Sequence, residues 1–207
     1  MNQFNSAWNF YFNNWQYFAV LAAPVFAVEI ATAYLLLPLE NISPENIAEY
    51  FGDNIFSIGI LSAVGTVLSV GFLGSLYLSF NAKSSSSELE PTTALLSGVY
   101  KFFPLFGAYV LCIIAVFFGF LLLILPGIYL GARLALFPAF IMLEGKGVID
   151  SLKLSWEETD EHGGTLFGLT IFFILLTTII SGIFSSLLDQ GIIQLLILGI
   201  VEYVIII

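Results

Sequence analysis

Residues 104–143 read PLFGAYVLCIIAVFFGFLLLILPGIYLGARLALFPAFIML, a stretch in which Arg133 is the only charged side chain. As one helix it would be about 60 Å long at roughly 1.5 Å per residue, about twice the hydrocarbon thickness of a bilayer. The stretch must therefore fold back on itself. Pro126-Gly127 is the predicted turn, since Pro disrupts a helix and Gly allows unusual backbone dihedral angles.

The apolar character of this stretch extends through the whole chain of 207 residues. Hydrophobic residues make up 59% and charged residues 10% of the sequence, against roughly 25% charged residues in soluble domains. A soluble domain of this size has too little interior to bury so many apolar side chains. The net charge of -10 disfavours nucleic acid as a partner, because phosphates are neutralised by Lys and Arg. The composition predicts a membrane protein and excludes a soluble enzyme.

Six segments approach the roughly 20 apolar residues that a helix needs to cross a bilayer. They cover about 15–39, 55–80, 104–125, 127–143, 166–188 and 191–207. We therefore predict an all-α fold, a polytopic membrane bundle that forms a single transmembrane domain over residues 1–207. Its six transmembrane helices are expected to form three hairpins.

The few basic residues predict the orientation of the bundle. Lys83 and Lys101 lie between the second and third segments, and Lys146 and Lys153 lie between the fourth and fifth. Loops that carry Lys and Arg near membrane segments face the cytoplasm. Both loops, and both termini, are therefore expected on the cytoplasmic side.

An amphipathic stretch precedes each predicted hairpin, and helices of this kind lie in the plane of the membrane interface. Trp8, Trp15 and Trp156 are the predicted interfacial anchors, because Trp suits the headgroup depth. These stretches could sense lipid or form a docking collar. A role as orienting anchors for the hairpins is favoured.

The loop between the first two segments has the signals of a short helix. Ser43 is a good N-cap, Pro44 fits the first helical position, and Gly52 could end the helix. Its acidic residues, Glu45 and Glu49, are interpreted as a solvated face, because no spacing diagnostic of a cation site is present.

Charge inside the membrane is the sharpest feature of the sequence. Arg133 is the only basic residue within any predicted segment, and Glu29 and Glu202 are the most deeply placed acids. An unpaired charge at mid-membrane costs about 2.5 to 3.5 kcal/mol on insertion scales. We therefore predict an intramembrane polar cluster in which Arg133 pairs with Glu29, Glu202 or both. It would serve either as a transport site or, as favoured, as a structural pair.

Catalytic, metal and cofactor sites are not expected. Cys112 is the only cysteine and is interpreted as a packing residue among small side chains. His162, the only histidine, lies in an acidic loop and has no second His or Cys to complete a convincing metal site. No catalytic triad can be assembled from these residues.

The central motifs carry a family resemblance. They are Leu125-Pro126-Gly127-Ile128-Tyr129-Leu130, Arg133-Leu134, Pro138, Glu144-Gly145 and Ser155-Trp156-Glu157-Glu158-Thr159. This pattern resembles the uncharacterised bacterial inner-membrane family typified by YciC, which is similar to the membrane domain attached to some glycerophosphodiester phosphodiesterases. The resemblance implies a polytopic protein of the bacterial inner (cytoplasmic) membrane with no established reaction. The acids after Trp156 depart from the family pattern, which would be more basic there.

Three functions follow from the sequence. The first is a non-catalytic membrane protein that interacts with membrane lipids or organises the membrane. The second is a small transporter that uses Arg133 with Glu29 or Glu202. The third is a membrane scaffold for a partner protein or for further copies of the chain. A water-filled cavity that reaches Arg133 would favour transport, and a dry core would favour the first function.

Overall fold

The computed structural model describes residues 9–85, 87–188 and 191–206. The chain divides into two compact units, one of residues 1–69 and 179–207 and the other of residues 70–178. Each unit is built from helices, and no strand occurs among the described residues. The predicted all-helical class is therefore confirmed for this part of the chain.

The helices follow one another with short connections. They are α1 (Trp15–Leu36), α2 (Ile47–Ser84), α3 (Pro91–Tyr100), α4 (Phe102–Leu122), α5 (Ile124–Leu134), α6 (Phe137–Leu143), α7 (Val148–Glu158), α8 (Gly163–Leu187) and α9 (Ile192–Ile206). Short 3-10 turns at Leu37–Glu40 and Pro44–Asn46 connect α1 to α2.

Five helical stretches are long and apolar enough to cross a membrane. They are Trp15–Leu39, Pro44–Ser84, Phe102–Leu122, Ile124–Leu143 and Gly163–Leu187. Five of the six predicted segments therefore lie in helical stretches of spanning length. The last predicted segment, 191–207, forms α9 with 15 residues, or about 22 Å of helix.

The predicted short helix after Ser43 is wrong in its C-terminal boundary. The backbone of Ser43 is extended, as at an N-cap, but its hydroxyl makes no cap hydrogen bond and lies 3.4 Å from a carboxylate oxygen of Glu45. Gly52 does not end a helix, because α2 continues through it to Ser84. A glycine ends a helix when it adopts a positive φ, and among the described glycines only Gly145 and Gly191 do so.

The helices α4 and α5 form the central hairpin, and its turn also lies earlier in the sequence than predicted. Leu123 is the extended residue between α4 and α5, with φ -166° and ψ 159°. Pro126 and Gly127 instead lie in the first turn of α5. Proline is tolerated there because the first N–H groups of a helix have no partner within it.

The predicted fourth segment, 127–143, is interrupted. α5 ends at Leu134 and α6 begins at Phe137, with Pro138 in the first turn of the new helix. Proline cannot continue the hydrogen-bond pattern of the preceding helix, so a break before Pro138 follows from its chemistry.

In the unit formed by residues 1–69 and 179–207, close contacts join α1 to α9 and to the first half of α2. A Cβ built on Gly199 of α9 would lie 2.6 Å from the ring of Phe26, and one on Gly65 would lie 3.5 Å from Val28. The Tyr50 hydroxyl donates a hydrogen bond to the carbonyl oxygen of Leu35. Glycines at these two positions thus allow the helices to approach closely, as small residues do between helices in lipid.

In the unit formed by residues 70–178, two glycines allow the helices of the central hairpin to approach each other closely. A Cβ on Gly119 of α4 would lie 2.7 Å from the Cα of Gly127 on α5. The base of the hairpin holds the hydrophobic core. This core consists of Leu105, Ala108, Phe137, Ile141 and Met142.

The second half of α2 packs against this core and against α3. A Cβ on Gly74 would lie 2.6 Å from a terminal methyl group of Leu105, so the glycine makes room for that side chain. Gly71 and Gly98 meet backbone to backbone, because a Cβ on Gly98 would lie 1.9 Å from the carbonyl oxygen of Gly71. The helix predicted before the third segment is therefore present as α3, and it docks on α2 through a glycine pair.

Gly98→Ala is expected to destabilise the protein, since its methyl group would overlap a backbone oxygen that cannot move aside. The cost should be about 1 to 3 kcal/mol, as for other overpacked sites. Thermal unfolding in detergent measures it as a lower Tm. Gly168→Ala is the matched control, because a Cβ there meets nothing within 4 Å and alanine favours the helix. An equal Tm for both variants would contradict the glycine contact.

Candidate functional site

Arg133 lies where three helices meet within the unit formed by residues 70–178. It occupies the last turn of α5, one helical turn after Tyr129, so the two side chains share a face. The facing helix, α7, has a stripe of small hydroxyl residues four apart. This stripe consists of Ser151, Ser155 and Thr159, all at most 1% exposed. Because these side chains are small, α7 approaches α5 closely.

The guanidinium of Arg133 is almost completely engaged. Its Nε donates to the hydroxyl of Thr159 (2.9 Å), and its Nη1 donates to the hydroxyl of Tyr129 (2.8 Å). Its Nη2 donates to the carboxylate of Asp160 (2.9 Å) and to the carbonyl oxygen of Trp156. Arg133 itself is 2% exposed. Four acceptors therefore surround a buried cation that has five N–H donors.

Aromatic rings cover the faces of the guanidinium. Its central carbon lies 4.1 Å from the centroid of the Trp156 ring and 5.7 Å from that of Tyr129. Tyr129 in turn meets Phe167 of α8 edge-on, with ring centroids 6.0 Å apart. Such cation–π contacts contribute more when the cation is desolvated, as it is here.

The hydroxyl of Ser155 provides hydrogen-bond partners for backbone groups at the break between α5 and α6. Its hydroxyl donates to the carbonyl oxygen of Arg133 (2.9 Å) and accepts from the N–H of Leu136 (3.1 Å). At the same break, the Tyr77 hydroxyl donates a hydrogen bond to the carbonyl oxygen of Ala135 (2.9 Å). Helix ends leave such groups without partners, so these hydroxyls make the break possible in an apolar setting.

We call this group of residues the Arg133 cluster. It consists of Tyr129, Arg133, Ser155, Trp156, Thr159 and Asp160. The ion pair within it reaches the surface, because the side chain of Asp160 is 77% exposed. Among the described residues, no buried side-chain nitrogen or oxygen lacks a hydrogen-bond partner. The cluster is thus a structural hydrogen-bond network that joins α5, α7 and the start of α8.

The two predicted partners of Arg133 belong to the other unit of the chain. Glu29 is an exposed residue of α1 in the unit formed by residues 1–69 and 179–207, and the side chain of Glu202 lies outside the described residues. The pairing of Arg133 with Glu29 or Glu202 stays a prediction.

The predicted interfacial tryptophans are found in three situations. Trp8 lies outside the described residues. Trp15 begins α1 and is 54% exposed, whereas Trp156 is 39% exposed and covers Arg133. A structural role for Trp156 was not foreseen.

The residues that surround Arg133 were not predicted from the sequence. Asp160 was interpreted only as one of the acids in the loop around His162, and Tyr129 and Thr159 only as members of the motifs that carry the family resemblance. Their spacing was visible, since Tyr129 precedes Arg133 by four residues and Thr159 follows Ser155 by four. That spacing identifies a shared helical face, but it does not reveal which helix packs on it.

Within the described ranges, no three His, Cys, Asp or Glu side chains come together as a metal site. His162 is exposed beside Asp160 and Glu161. The chemistry available at the Arg133 cluster is hydrogen bonding and charge neutralisation within the protein.

Comparisons with known proteins give a family of unknown function and one relative that is described as a membrane protein. Residues 46–204 match the family described as "Domain of unknown function (DUF7847)". Over 96 residues the chain is 34% identical to a UPF0259 membrane protein from Photorhabdus laumondii subsp. laumondii. This match covers 46% of the chain and only 36% of that relative. No solved structure matches the chain.

Replacing Arg133 tests whether neutral acceptors or the ion pair hold the cluster together. Arg133→Lys should lower the Tm several times more than Asp160→Asn, because lysine cannot reach Thr159, Tyr129 and Trp156 together. Asp160→Asn keeps a side-chain oxygen as acceptor and removes a charge that is 77% exposed, so solvent screening keeps the loss small. Thermal unfolding in detergent compares the two. A larger loss for Asp160→Asn would contradict the network.

Gly163→Ala and Gly164→Ala form a matched pair at the start of α8. A Cβ on Gly163 would lie 2.9 Å from Cδ of Arg133 and 3.0 Å from the Tyr129 hydroxyl, whereas one on Gly164 meets nothing within 4 Å. Arg133 cannot move aside without losing hydrogen bonds. We expect Gly163→Ala to cost about 1 to 3 kcal/mol and Gly164→Ala to leave the unfolding midpoint unchanged or raised. Equal unfolding midpoints for the two variants would contradict a rigid packing of the Arg133 cluster against Gly163.

Proposed function

Because the chain belongs to the DUF7847 family of unknown function, we propose that it is a non-catalytic integral membrane protein that interacts with lipids and organises the membrane around it. One observation carries the proposal. The short helices α3 and α7 each bury one face while apolar side chains elsewhere on them stay exposed, with Leu96 at 55% and Ile149 at 53%.

α7 has the composition of a helix that lies at a membrane interface. Exposed Ile149 stands next to exposed Asp150 and Lys153, and Trp156 lies one turn further on. Interfacial helices combine apolar and charged faces in this way, and they bind lipid through the apolar face. α7 is held in place by the Arg133 cluster, so its exposed residues are presented to the membrane in a fixed orientation.

For the topology we propose six apolar segments in three hairpins, with both termini in the cytoplasm of a bacterial cell. The support is the position of Lys83, Lys101, Lys146 and Lys153, which all lie in the two connections between hairpins. We also propose that the chain is related to YciC and to the membrane domain of glycerophosphodiester phosphodiesterases. That relationship would imply a location in the inner membrane, and it implies no reaction.

The transport alternative is less well supported. It requires Arg133 to be available to a substrate or a proton, whereas the residue is 2% exposed and its guanidinium already has four acceptors. A scaffold for a partner protein or for further copies of the chain is distinguished from lipid interaction by the same experiment that tests the proposal.

Native mass spectrometry of the gently solubilised protein is that experiment. We expect bound phospholipid, and we expect less of it for the double variant Leu96→Ser with Ile149→Ser, because the apolar faces of α3 and α7 would be lost. Asp150→Asn is the matched control and should retain the lipid. A lipid-free chain, or equal lipid retention in all three proteins, would contradict the proposal. A stable complex without lipid would instead favour the scaffold.

A further inference from the structure

The tip of the α4–α5 hairpin, in the unit formed by residues 70–178, consists of consecutive exposed apolar side chains. Leu121, Leu122, Leu123, Ile124 and Leu125 are between 59% and 78% exposed. We propose that this hairpin is re-entrant, so that its tip ends among the acyl chains of the cytoplasmic leaflet and does not reach the other side. This inference rests on the membrane location and orientation proposed above.

Helix length alone would allow the hairpin to cross. α4 has 21 residues, which corresponds to about 31 Å of helix, close to the hydrocarbon thickness. The depth of insertion therefore depends on how much of the hairpin is covered by parts of the chain that cannot enter hydrocarbon.

α7 covers the base of the hairpin. It begins beside α4, where a Cβ on Gly107 would lie 3.5 Å from Val148. It ends beside Arg133, which Ser155 and Thr159 contact through hydrogen bonds. The side of the hairpin between Gly107 and Arg133 is therefore occupied by α7.

The outward face of α7 cannot lie in hydrocarbon. Asp150, Lys153, Glu157 and Glu158 are all exposed, and the exposed Asp160 and Glu161 follow directly. Each charge at the bilayer centre would cost about 2.5 to 3.5 kcal/mol on insertion scales. The base of the hairpin, up to the level of Arg133, must therefore lie at the polar interface.

α8 marks the same level independently. It starts at Gly163, directly beside Arg133, and its Phe167 contacts Tyr129 as it runs toward the tip. The helix has 25 residues without a charge, or about 37 Å, which is enough to cross the whole bilayer. Because an uncharged helix enters hydrocarbon near its first residues, the entry level of α8 coincides with Arg133.

The hairpin extends only a short way beyond that level. From Arg133 back to the turn at Leu123 is ten residues, or about 15 Å, which is half of the roughly 30 Å hydrocarbon layer. The turn itself has no polar side chain. The connection between α1 and α2, by contrast, contains Asn41, Ser43 and Glu45, as expected of a loop that emerges into water.

The backbone of the turn is also compatible with hydrocarbon. The N–H of Leu123 donates to the carbonyl oxygen of Gly119 (3.1 Å), and the N–H of Gly127 lies 3.5 Å from the carbonyl oxygen of Leu123. Pro126 removes a further donor, because proline has no N–H. Backbone polar groups in a bilayer must be satisfied within the protein, and this turn reduces the number that remain.

Single-cysteine variants test the depth of the tip. In a Cys112→Ala background, Leu123→Cys is compared with Ser43→Cys in the loop after α1 and with Ser87→Cys in the loop after α2. Spheroplasts are treated with a membrane-impermeant thiol reagent before and after permeabilisation. We expect labelling of position 43 from outside, of position 87 only after permeabilisation, and of position 123 in neither case.

A bimane label on Leu123→Cys, in vesicles of brominated phosphatidylcholine, measures the depth directly. Bromine near the ends of the acyl chains should quench it more than bromine near the headgroups. Labelling of position 123 from the side that labels position 43 would overturn the re-entrant hairpin, and so would the absence of quenching, which would place the tip against protein. Positions 43 and 87 labelled from the same side would instead overturn the proposed topology, without deciding the depth.

Discussion

The hydrogen bonds of one buried guanidinium organise the unit formed by residues 70–178. Arg133 binds α7 through Thr159 and the carbonyl oxygen of Trp156, and it binds its own helix through Tyr129. A charge this deeply buried is tolerated only when its donors have acceptors. The positions of α7 and of the start of α8 therefore follow from the need to supply those acceptors.

Neutral groups provide most of these acceptors, and this fits the apolar setting. Two hydroxyls and a carbonyl oxygen spread the positive charge over dipoles, while the one carboxylate, on Asp160, stays in contact with solvent. A fully buried carboxylate would add its own desolvation cost to that of the cation. Placing the acid at the surface neutralises Arg133 without that second cost. The planar fork of arginine reaches all four groups at once, which a lysine ammonium cannot do.

Composition and periodicity predicted most of the helices, because apolar runs and amphipathic faces are local properties. α3 and α7 were expected for the same reason. The surroundings of Arg133 were not predictable in this way, since Thr159 and Asp160 approach it only because α7 folds back along the hairpin. The predicted segment 127–143 treated α5 and α6 as one uninterrupted crossing. Pro138 accounts locally for the break at Ala135 and Leu136, but the hydroxyls of Ser155 and Tyr77 that bond the freed backbone groups are distant in the sequence.

The Arg133 cluster also has a consequence for the proposed re-entrant hairpin. The hydrogen bonds between α5 and α7 fix the charged face of α7 at ten residues from the turn at Leu123. Since that face must remain at the interface, these bonds set how far the tip can enter the bilayer. An apolar hairpin without α7 would be free to cross, because its helices are long enough. The polar cluster thus decides the depth of an apolar element, and a wedge confined to one leaflet displaces lipid from that leaflet alone.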